Sequence, residues 1–165
     1  VLSPVGDFLT TNLSMFLTSR VLSCSQAVEP SSWSKGWFAQ DLINLDEEKT
    51  AFENVSCTSL QDRMTILNLL GMLGLSYDKA QQKVANLSGG ERVRLSLAKV
   101  LLADANLLIL DEPTNFLDMA AIEALETFLK EYEGSVLLVS HDQQFVETSV
   151  HRQWEIVQAC LVKKS

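Results

Sequence analysis

Two short, wholly apolar runs with a helical pattern between them most constrain the fold of this chain. Residues 107–110 read Leu-Leu-Ile-Leu and residues 136–139 read Val-Leu-Leu-Val, each too short for a helix and without polar alternation. Such runs are typical of strands buried on both faces of a sheet. Between them, apolar side chains recur at helical spacing from Ala121 to Tyr132. A strand, a helix and a strand within about thirty residues predict a βαβ unit with parallel strands, and therefore an α/β fold.

A second helix start is indicated by residues 87–91, Leu-Ser-Gly-Gly-Glu. Ser88 and Glu91 have the S-x-x-E spacing of a capping box, in which each side chain accepts a hydrogen bond from a free backbone N–H group. Gly89 and Gly90 carry no side chain, so backbone N–H groups there can approach a phosphate closely. The helix dipole adds a field that favours an anion at this end. The segment therefore predicts a phosphate-binding helix start.

Polar side chains follow both apolar runs directly. Asp111 and Glu112 come after the first run, and His141 comes after the second. Because the carboxyl ends of parallel strands meet at the ligand edge of a sheet, we expect these three residues to lie near one another. Asp111 suits a hard cation such as Mg²⁺, directly or through water. Glu112 suits the role of general base that accepts a proton from an attacking water.

The order of these segments is similar to that in a known family. Leu-Ser-Gly-Gly-Glu at 87–91, followed by Asp-Glu-Pro-Thr-Asn-Phe-Leu-Asp at 111–118, resembles the signature, Walker B and D-loop of ATP-binding cassette (ABC) ATPases. The amino-acid sequence at 111–118 is most similar to that of the ABC-F branch, and the chain resembles the second cassette of a tandem protein. The resemblance implies a P-loop NTPase-like nucleotide-binding domain, with a mostly parallel sheet and a small helical subdomain. It also implies ATP and Mg²⁺ as cofactors and a cytoplasmic location.

The resemblance further implies what the domain does and which residues do it. Family members couple ATP binding and hydrolysis to ribosome engagement, as translation factors or antibiotic-resistance proteins. A second cassette, from the same protein or a homodimer, is the expected partner, and the signature completes that partner's site. The implied site residues are catalytic Glu112, His141 and Gln40; metal-binding Asp111 and Gln40; nucleotide-binding Ser88, Gly89, Gly90 and Glu91; and dimer-interface Asn115 and Asp118. Asp118 also fits the N-cap of the following helix.

The P-loop of the family, G-x-x-x-x-G-K-S/T, does not occur in the sequence. At the corresponding distance before Gln40, residues 3–11 read Ser-Pro-Val-Gly-Asp-Phe-Leu-Thr-Thr, in which the nucleotide-binding positions Gly6, Thr10 and Thr11 match. Phe8 replaces a glycine and Leu9 replaces the lysine, and losing one such charge-assisted contact costs about 1.5–3 kcal/mol. The alternative is that residues 1–35 are unrelated sequence. Under either interpretation, independent ATP hydrolysis is in doubt.

We predict one domain over residues 1–165. Its parts are a degenerate P-loop region at 1–35, a helical subdomain at 59–86, the motif-bearing segment at 87–149 and degenerate C-terminal strands at 150–165. The helical subdomain is predicted from the spacing of Leu60, Met64, Leu67 and Leu70. Because the chain begins at Val1 rather than Met, we expect a fragment of a longer protein.

Composition excludes several classes of protein. The net charge of −8 argues against a surface that binds a nucleic-acid backbone, so contact with ribosomal RNA would need basic elements outside this chain. The sequence contains no run of about 18 apolar residues, so no membrane-spanning helix is predicted. The three widely spaced cysteines are interpreted as reduced thiols. The acidic run at 46–48 is interpreted as a solvated loop.

Two other functions stay open from the sequence. The chain could be the ATPase subunit of a membrane transporter, although Asn115 and Leu117 follow the soluble D-loop pattern. It could instead be a module without activity of its own that lends its signature to a cassette with an intact P-loop.

Overall fold

The predicted α/β architecture is confirmed. The structure, a computed structural model, describes residues 35–38, 45–157 and 160–163. Strands β1 (Lys35–Phe38), β2 (Leu107–Asp111) and β3 (Ser135–Val139) form a parallel sheet in the order β1-β2-β3. The predicted P-loop positions Gly6, Thr10 and Thr11 and the Q-loop position Gln40 lie outside the described residues.

The helices lie in three groups along the described chain. Before β2 there are α1 (Ala51–Ser56), α2 (Arg63–Met72), α3 (Tyr77–Ala80), a 3-10 turn (Val84–Asn86) and α4 (Gly89–Leu101). Between β2 and β3 lies α5 (Met119–Glu131), and after β3 lies α6 (Gln143–Ser149). Two further strands, β4 (Trp154–Val157) and β5 (Cys160–Lys163), lie in the C-terminal segment and pair antiparallel.

Each α-helix begins at a residue whose side chain accepts a hydrogen bond from a backbone N–H group of the first turn. These N-caps are Thr50, Asp62, Ser76, Ser88, Asp118 and Asp142. Thr50 with Glu53, and Ser88 with Glu91, form complete capping boxes. Because a cap satisfies a donor that the helix itself cannot, these side chains set the helix starts. The predicted capping box at Ser88 is therefore confirmed.

Strands β2 and β3 differ in burial. Leu108, Ile109 and Leu110 of β2 are buried, as predicted. The side chains of Val136–Val139 in β3 are only half-buried, which corrects the expectation that both strands are buried on both faces. In the described part of the chain β3 pairs with β2 on one side alone, so it has fewer neighbours than the central strand.

The helical subdomain was predicted from an apolar stripe, and the prediction that this stripe is its buried face was wrong in part. Leu60 and Met64 are 81% and 64% exposed. Leu70 is buried as predicted, but the rest of the core face of α2 consists of Ile66 and Leu69, with Leu73 just after the helix. Apolar side chains at helical spacing lie on more than one side of this helix. Packing of α2 against α1 and α4 decides which apolar side chains are buried. Among the described residues, no helix is long and apolar enough to cross a membrane.

The close approach of β1 to α4 leads to a stability prediction. A Cβ atom on Gly36 would lie 2.9 Å from Cδ2 of the fully buried Leu108 and 3.2 Å from the Val100 carbonyl oxygen. Gly36→Ala should therefore lower the free energy of unfolding by about 1–3 kcal/mol, because the contact overpacks the core. Gly71→Ala in α2 is the matched control, since nothing lies within 4 Å of its Cβ position. Denaturant unfolding should show that this second change raises stability by about 0.5–1 kcal/mol. Equal effects at both positions would contradict the packing argument.

Candidate functional site

The end of β2 turns sharply at Glu112. Asp111 is the last residue of the strand, and the Glu112 N–H group donates to the Val139 carbonyl oxygen of β3 at 2.8 Å. Glu112 has a φ of 48°, in the left-handed region that side chains rarely adopt. The turn closes when the Asn115 N–H group donates to the Glu112 carbonyl oxygen at 3.2 Å. This backbone orients the Glu112 side chain away from the direction that a continued strand would give it.

His141 meets Glu112 at the sheet edge, as the sequence predicted. The His141 backbone N–H group lies 3.4 Å from Oε2 of Glu112, and its Nε2 atom lies 3.5 Å from Oε1. The Glu112 side chain is 15% exposed, whereas that of His141 is 71% exposed. Oε1 is buried and accepts no hydrogen bond within normal distance, because the contact with Nε2 is longer than a good hydrogen bond. The carboxylate therefore has acceptor capacity that the described residues do not use.

Burial raises the pKa of Glu112 above its ordinary value of 4.5. The charge and the backbone N–H group of His141 lower this pKa, and the charge of Asp111 raises it, but burial is the largest effect. Removing a carboxylate from water disfavours its charged form. A carboxylate with a raised pKa is a stronger base, which suits proton abstraction near neutral pH.

This raised pKa predicts a pH-dependent stability. Because folded Glu112 binds its proton more tightly than the unfolded chain does, its contribution is fully present below the unfolded pKa and is lost as pH rises through the folded pKa. Glu112→Gln removes the titration, so the variant should unfold at a higher denaturant concentration than the parent at pH 7. The difference should be smaller below pH 4.5, the ordinary pKa of the group. A difference that does not change with pH would contradict the assignment of a buried, titrating Glu112.

The signature segment forms the start of α4. The Glu91 N–H group donates to Oγ of Ser88 at 3.3 Å, and the Ser88 N–H group donates to Oε2 of Glu91 at 2.8 Å. The hydroxyl proton of Ser88 takes no part in these bonds. By helix geometry, the N–H groups of Gly89 and Gly90 have no acceptor within the helix. Space is open around both glycines, since nothing lies within 4 Å of their Cβ positions.

Glu91 is engaged within the chain. Oε1 of Glu91 lies 3.3 Å from Nζ of Lys79 on α3, in addition to the capping-box bond of Oε2. The hydrogen bond from the Ser88 N–H group is the main cause that lowers the pKa of Glu91, and Lys79 adds to it. The carboxylate is therefore ionised near neutral pH. It organises the helix start, and its role toward a nucleotide stays a prediction.

The D-loop segment exposes both residues predicted at an interface. Asn115 and Asp118 are exposed, and Oδ1 of Asp118 caps α5 by accepting from the Ala121 N–H group at 2.9 Å. Between them, Phe116 has a φ of 66° and is 65% exposed. Phe116 was not among the residues predicted from the sequence, although a bulky aromatic side chain in a polar loop is a signal that the sequence contains.

The carboxylate oxygens at the strand edge are suited to a Mg²⁺ ion that is also bound by a phosphate. Asp111 supplies a half-exposed carboxylate, and Glu112 supplies a buried oxygen without a close partner. Mg²⁺ is usually held by one or two carboxylates together with water and phosphate oxygens. In the described parts of the chain, no group of three His, Cys, Asp or Glu side chains is arranged to hold a metal ion on its own.

Comparison with known proteins agrees with the motifs. The ABC transporter family model matches residues 17–115, which include the signature and Walker B segments. ABC transporter F family member 5 of Arabidopsis thaliana is 42% identical over 119 residues, covering 71% of this chain and 17% of that protein. Ribosome protection protein VmlR of Bacillus subtilis (strain 168) is 34% identical over 151 residues, covering 92% of this chain and 27% of that protein.

A solved structure shares the fold as well. A dimeric ATP-binding cassette in a post-hydrolysis state, bound to ADP and Pi, matches with a TM-score of 0.55 and 27% identity, covering 70% of this chain and 56% of that one. The chain spans only 17% and 27% of the length of the two curated relatives. The chain therefore belongs to the ATP-binding cassette family, and its curated relatives place it in the ABC-F branch.

Proposed function

We propose that this chain is a cassette that binds Mg·ATP together with a second cassette and takes part in ATP hydrolysis. Cassettes of this family generally bind ATP with Mg²⁺ and dimerise. The observation that carries the proposal is the buried Glu112 carboxylate, which is fixed by a left-handed turn and faces His141. This is the arrangement that a general base needs next to a reacting phosphate.

Each residue at the strand edge has a separate task in this proposal. Asp111, with Gln40, would hold Mg²⁺, which offsets the charge of the phosphates when bound. Glu112 accepts a proton from the attacking water. His141 orients the Glu112 carboxylate through its backbone N–H group and presents its ring toward the terminal phosphate. These roles follow from the family resemblance and from the distances between Glu112 and His141.

The signature acts on the nucleotide of the partner cassette. The Ser88 hydroxyl and the N–H groups of Gly89 and Gly90 donate to its phosphates, and the α4 dipole adds to the attraction. Asn115 and Asp118 lie at the cassette interface. Gly6, Thr10 and Thr11 would contact the nucleotide bound to this chain itself.

A second candidate function rests on the altered P-loop. Leu9 carries no charge at the lysine position and Phe8 stands at a glycine position, so the chain's own phosphate site is weakened. In this case the chain acts by presenting Ser88, Gly89 and Gly90 to a cassette with an intact P-loop. A titration of the purified chain with Mg·ATP separates the two functions, since saturable binding at millimolar ATP favours the first.

The wider role that we propose is at the ribosome in the cytoplasm. One relative, 34% identical over 151 residues, is a ribosome protection protein, and this supports a role at the ribosome. Because the net charge is −8, contact with ribosomal RNA would need basic elements outside this chain. Cosedimentation of the longest natural form of the protein with ribosomes, with and without Mg·ATP, tests this role. If the same amount of the protein sediments with and without ribosomes, the proposed role at the ribosome is contradicted.

Mixing with a second cassette tests the signature directly. The partner is an ABC-F cassette that has an intact P-loop and a disabled signature, so its own ATP turnover is low. We expect this chain to raise the turnover and Ser88→Arg to abolish the gain, because the substitution removes the phosphate-facing hydroxyl and puts a bulky side chain in its place. A loss on the order of 10²-fold matches the removal of one preorganised donor.

Ser76→Arg is the matched control for this change. Ser76 is also the N-cap of a helix, with its Oγ atom 3.4 Å from the Lys79 N–H group. The control therefore loses a cap and gains an arginine at a position outside the signature itself, on the short helix that carries Lys79. Equal losses from both changes would mean that cap removal, and not phosphate contact, explains the effect.

A further inference from the structure

The acidic run Asp46-Glu47-Glu48 is an exposed loop, as the sequence indicated, but its side chains also form specific ion pairs. Glu47 pairs with Arg92 at 2.6 Å, and Glu48 pairs with Lys83 at 2.9 Å. Asp46 is tied down through its backbone by Asn54, which is only 1% exposed. Oδ1 of Asn54 accepts from the Asp46 N–H group at 2.8 Å, and Nδ2 donates to the Asp46 carbonyl oxygen at 3.0 Å. Glu47 therefore extends from a fixed backbone.

Arg92 uses all three of its nitrogen atoms on this side of the molecule. Nη1 donates to Glu47, Nη2 donates to the Ala85 carbonyl oxygen at 3.2 Å, and Nε donates to the Leu87 carbonyl oxygen at 3.2 Å. The two carbonyl groups belong to the segment that immediately precedes Ser88. A planar guanidinium can satisfy three such acceptors at once, whereas a lysine ammonium presents a single point of contact.

We propose that Arg92, oriented by Glu47, is a positioning residue that holds the segment Ala85–Leu87 and thereby sets the direction of the Ser88 hydroxyl. This inference rests on the proposed function, since it concerns how the signature faces a phosphate. The segment enters α4 at Ser88, so a shift of the Leu87 carbonyl group rotates the cap residue. Small displacements of a phosphate-facing donor have large effects on a reaction that depends on positioning.

The burial of the two ion pairs distinguishes their roles. The Arg92 side chain is 29% exposed and also contacts backbone carbonyl groups, whereas its partner Glu47 is 61% exposed. In the other pair both side chains are well exposed, Lys83 at 56% and Glu48 at 84%. Exposed ion pairs contribute little to stability. The Glu47–Arg92 pair should therefore matter through geometry, and the Glu48–Lys83 pair from the same loop provides a matched control.

The experiment compares Arg92→Lys and Glu47→Gln with Glu48→Gln in the full chain. The first readout is amide hydrogen exchange without nucleotide. We expect the Asn86, Leu87 and Ser88 amides to exchange about tenfold faster in Arg92→Lys, the scale of one lost charge-assisted hydrogen bond, with Glu48→Gln unchanged. The second readout is stimulation of the partner cassette described above. In that assay we expect Arg92→Lys to lower the maximal turnover of the partner cassette about tenfold. The midpoint of thermal unfolding of this variant should stay similar to that of the unchanged chain.

A charge-reversed pair, Glu47→Arg with Arg92→Glu, separates positioning from simple attraction. It restores an ion pair but leaves no donor for the Ala85 and Leu87 carbonyl groups, so we expect no rescue of either readout. Rescue, or the same exchange rates in Arg92→Lys and Glu48→Gln, would overturn the proposal. If the unchanged chain fails to stimulate the partner, the proposed signature function fails, and the exchange rates still decide whether Arg92 holds the segment.

Discussion

Glu112→Gln is expected to reduce ATP turnover by about 10²–10⁴-fold in any assembly in which this chain contributes its strand edge to hydrolysis. The amide has nearly the same shape as the carboxylate but cannot accept the proton of the attacking water. Nucleotide should therefore bind and stay bound, and the dimer should accumulate. Single-turnover hydrolysis and retention of labelled ATP measure the two effects separately.

The same substitution has a second expected result that excludes unfolding as the cause. Because burial raises the pKa of Glu112, the glutamine variant should be more stable than the parent chain at pH 7. Loss of turnover together with higher stability is a combination that a damaged fold does not produce. Glu147→Gln, an exposed position on α6, is the matched control and should leave turnover unchanged. Unchanged turnover in Glu112→Gln would remove this residue from the mechanism.

Phe145→Ala is expected to lower the free energy of unfolding by about 3–5 kcal/mol. Phe145 is 1% exposed and is among the largest fully buried side chains in the described residues. Removing the ring leaves a cavity that the rigid surroundings fill only in part. Denaturant unfolding monitored by tryptophan fluorescence measures the change. A domain typically has about 5–15 kcal/mol of stability, so a folded population should remain.

Phe116→Ala is the matched control because it removes the same ring from a position that is 65% exposed. We expect a change within about 0.5 kcal/mol there. The Phe145 result also concerns the candidate site. Asp142 caps α6 by accepting from the Phe145 N–H group at 3.0 Å, and His141 precedes that cap. Loss of the ring should loosen the His141 segment as well as the core. Similar changes in stability from both substitutions would contradict the assignment of Phe145 to the core.

The local elements of this chain are determined by its sequence to a large extent. The apolar runs at 107–110 and 136–139 form parallel strands because each is short, apolar and separated from the other by one helix. Ser88 and Glu91 start α4 where their spacing predicts, because a capping box depends only on residues three apart. The carboxyl ends of adjacent parallel strands then bring Glu112 and His141 to one edge.

Other features depend on contacts between residues that are distant in the sequence. Apolar side chains at helical spacing lie on more than one side of α2, and only packing decides that Ile66 and Leu69 are buried while Met64 is exposed. The acidic loop pairs with Arg92 across 45 positions of sequence, which no local pattern indicates.

The basicity of Glu112 is likewise decided in three dimensions. Its pKa is raised mainly by burial, which is a property of the surrounding structure and not of neighbouring residues in the chain. The sequence therefore determines which chemical groups are present and which strands carry them. The tertiary structure determines how far each group is removed from water and which partner it faces, because both depend on the packing of segments that the sequence keeps apart.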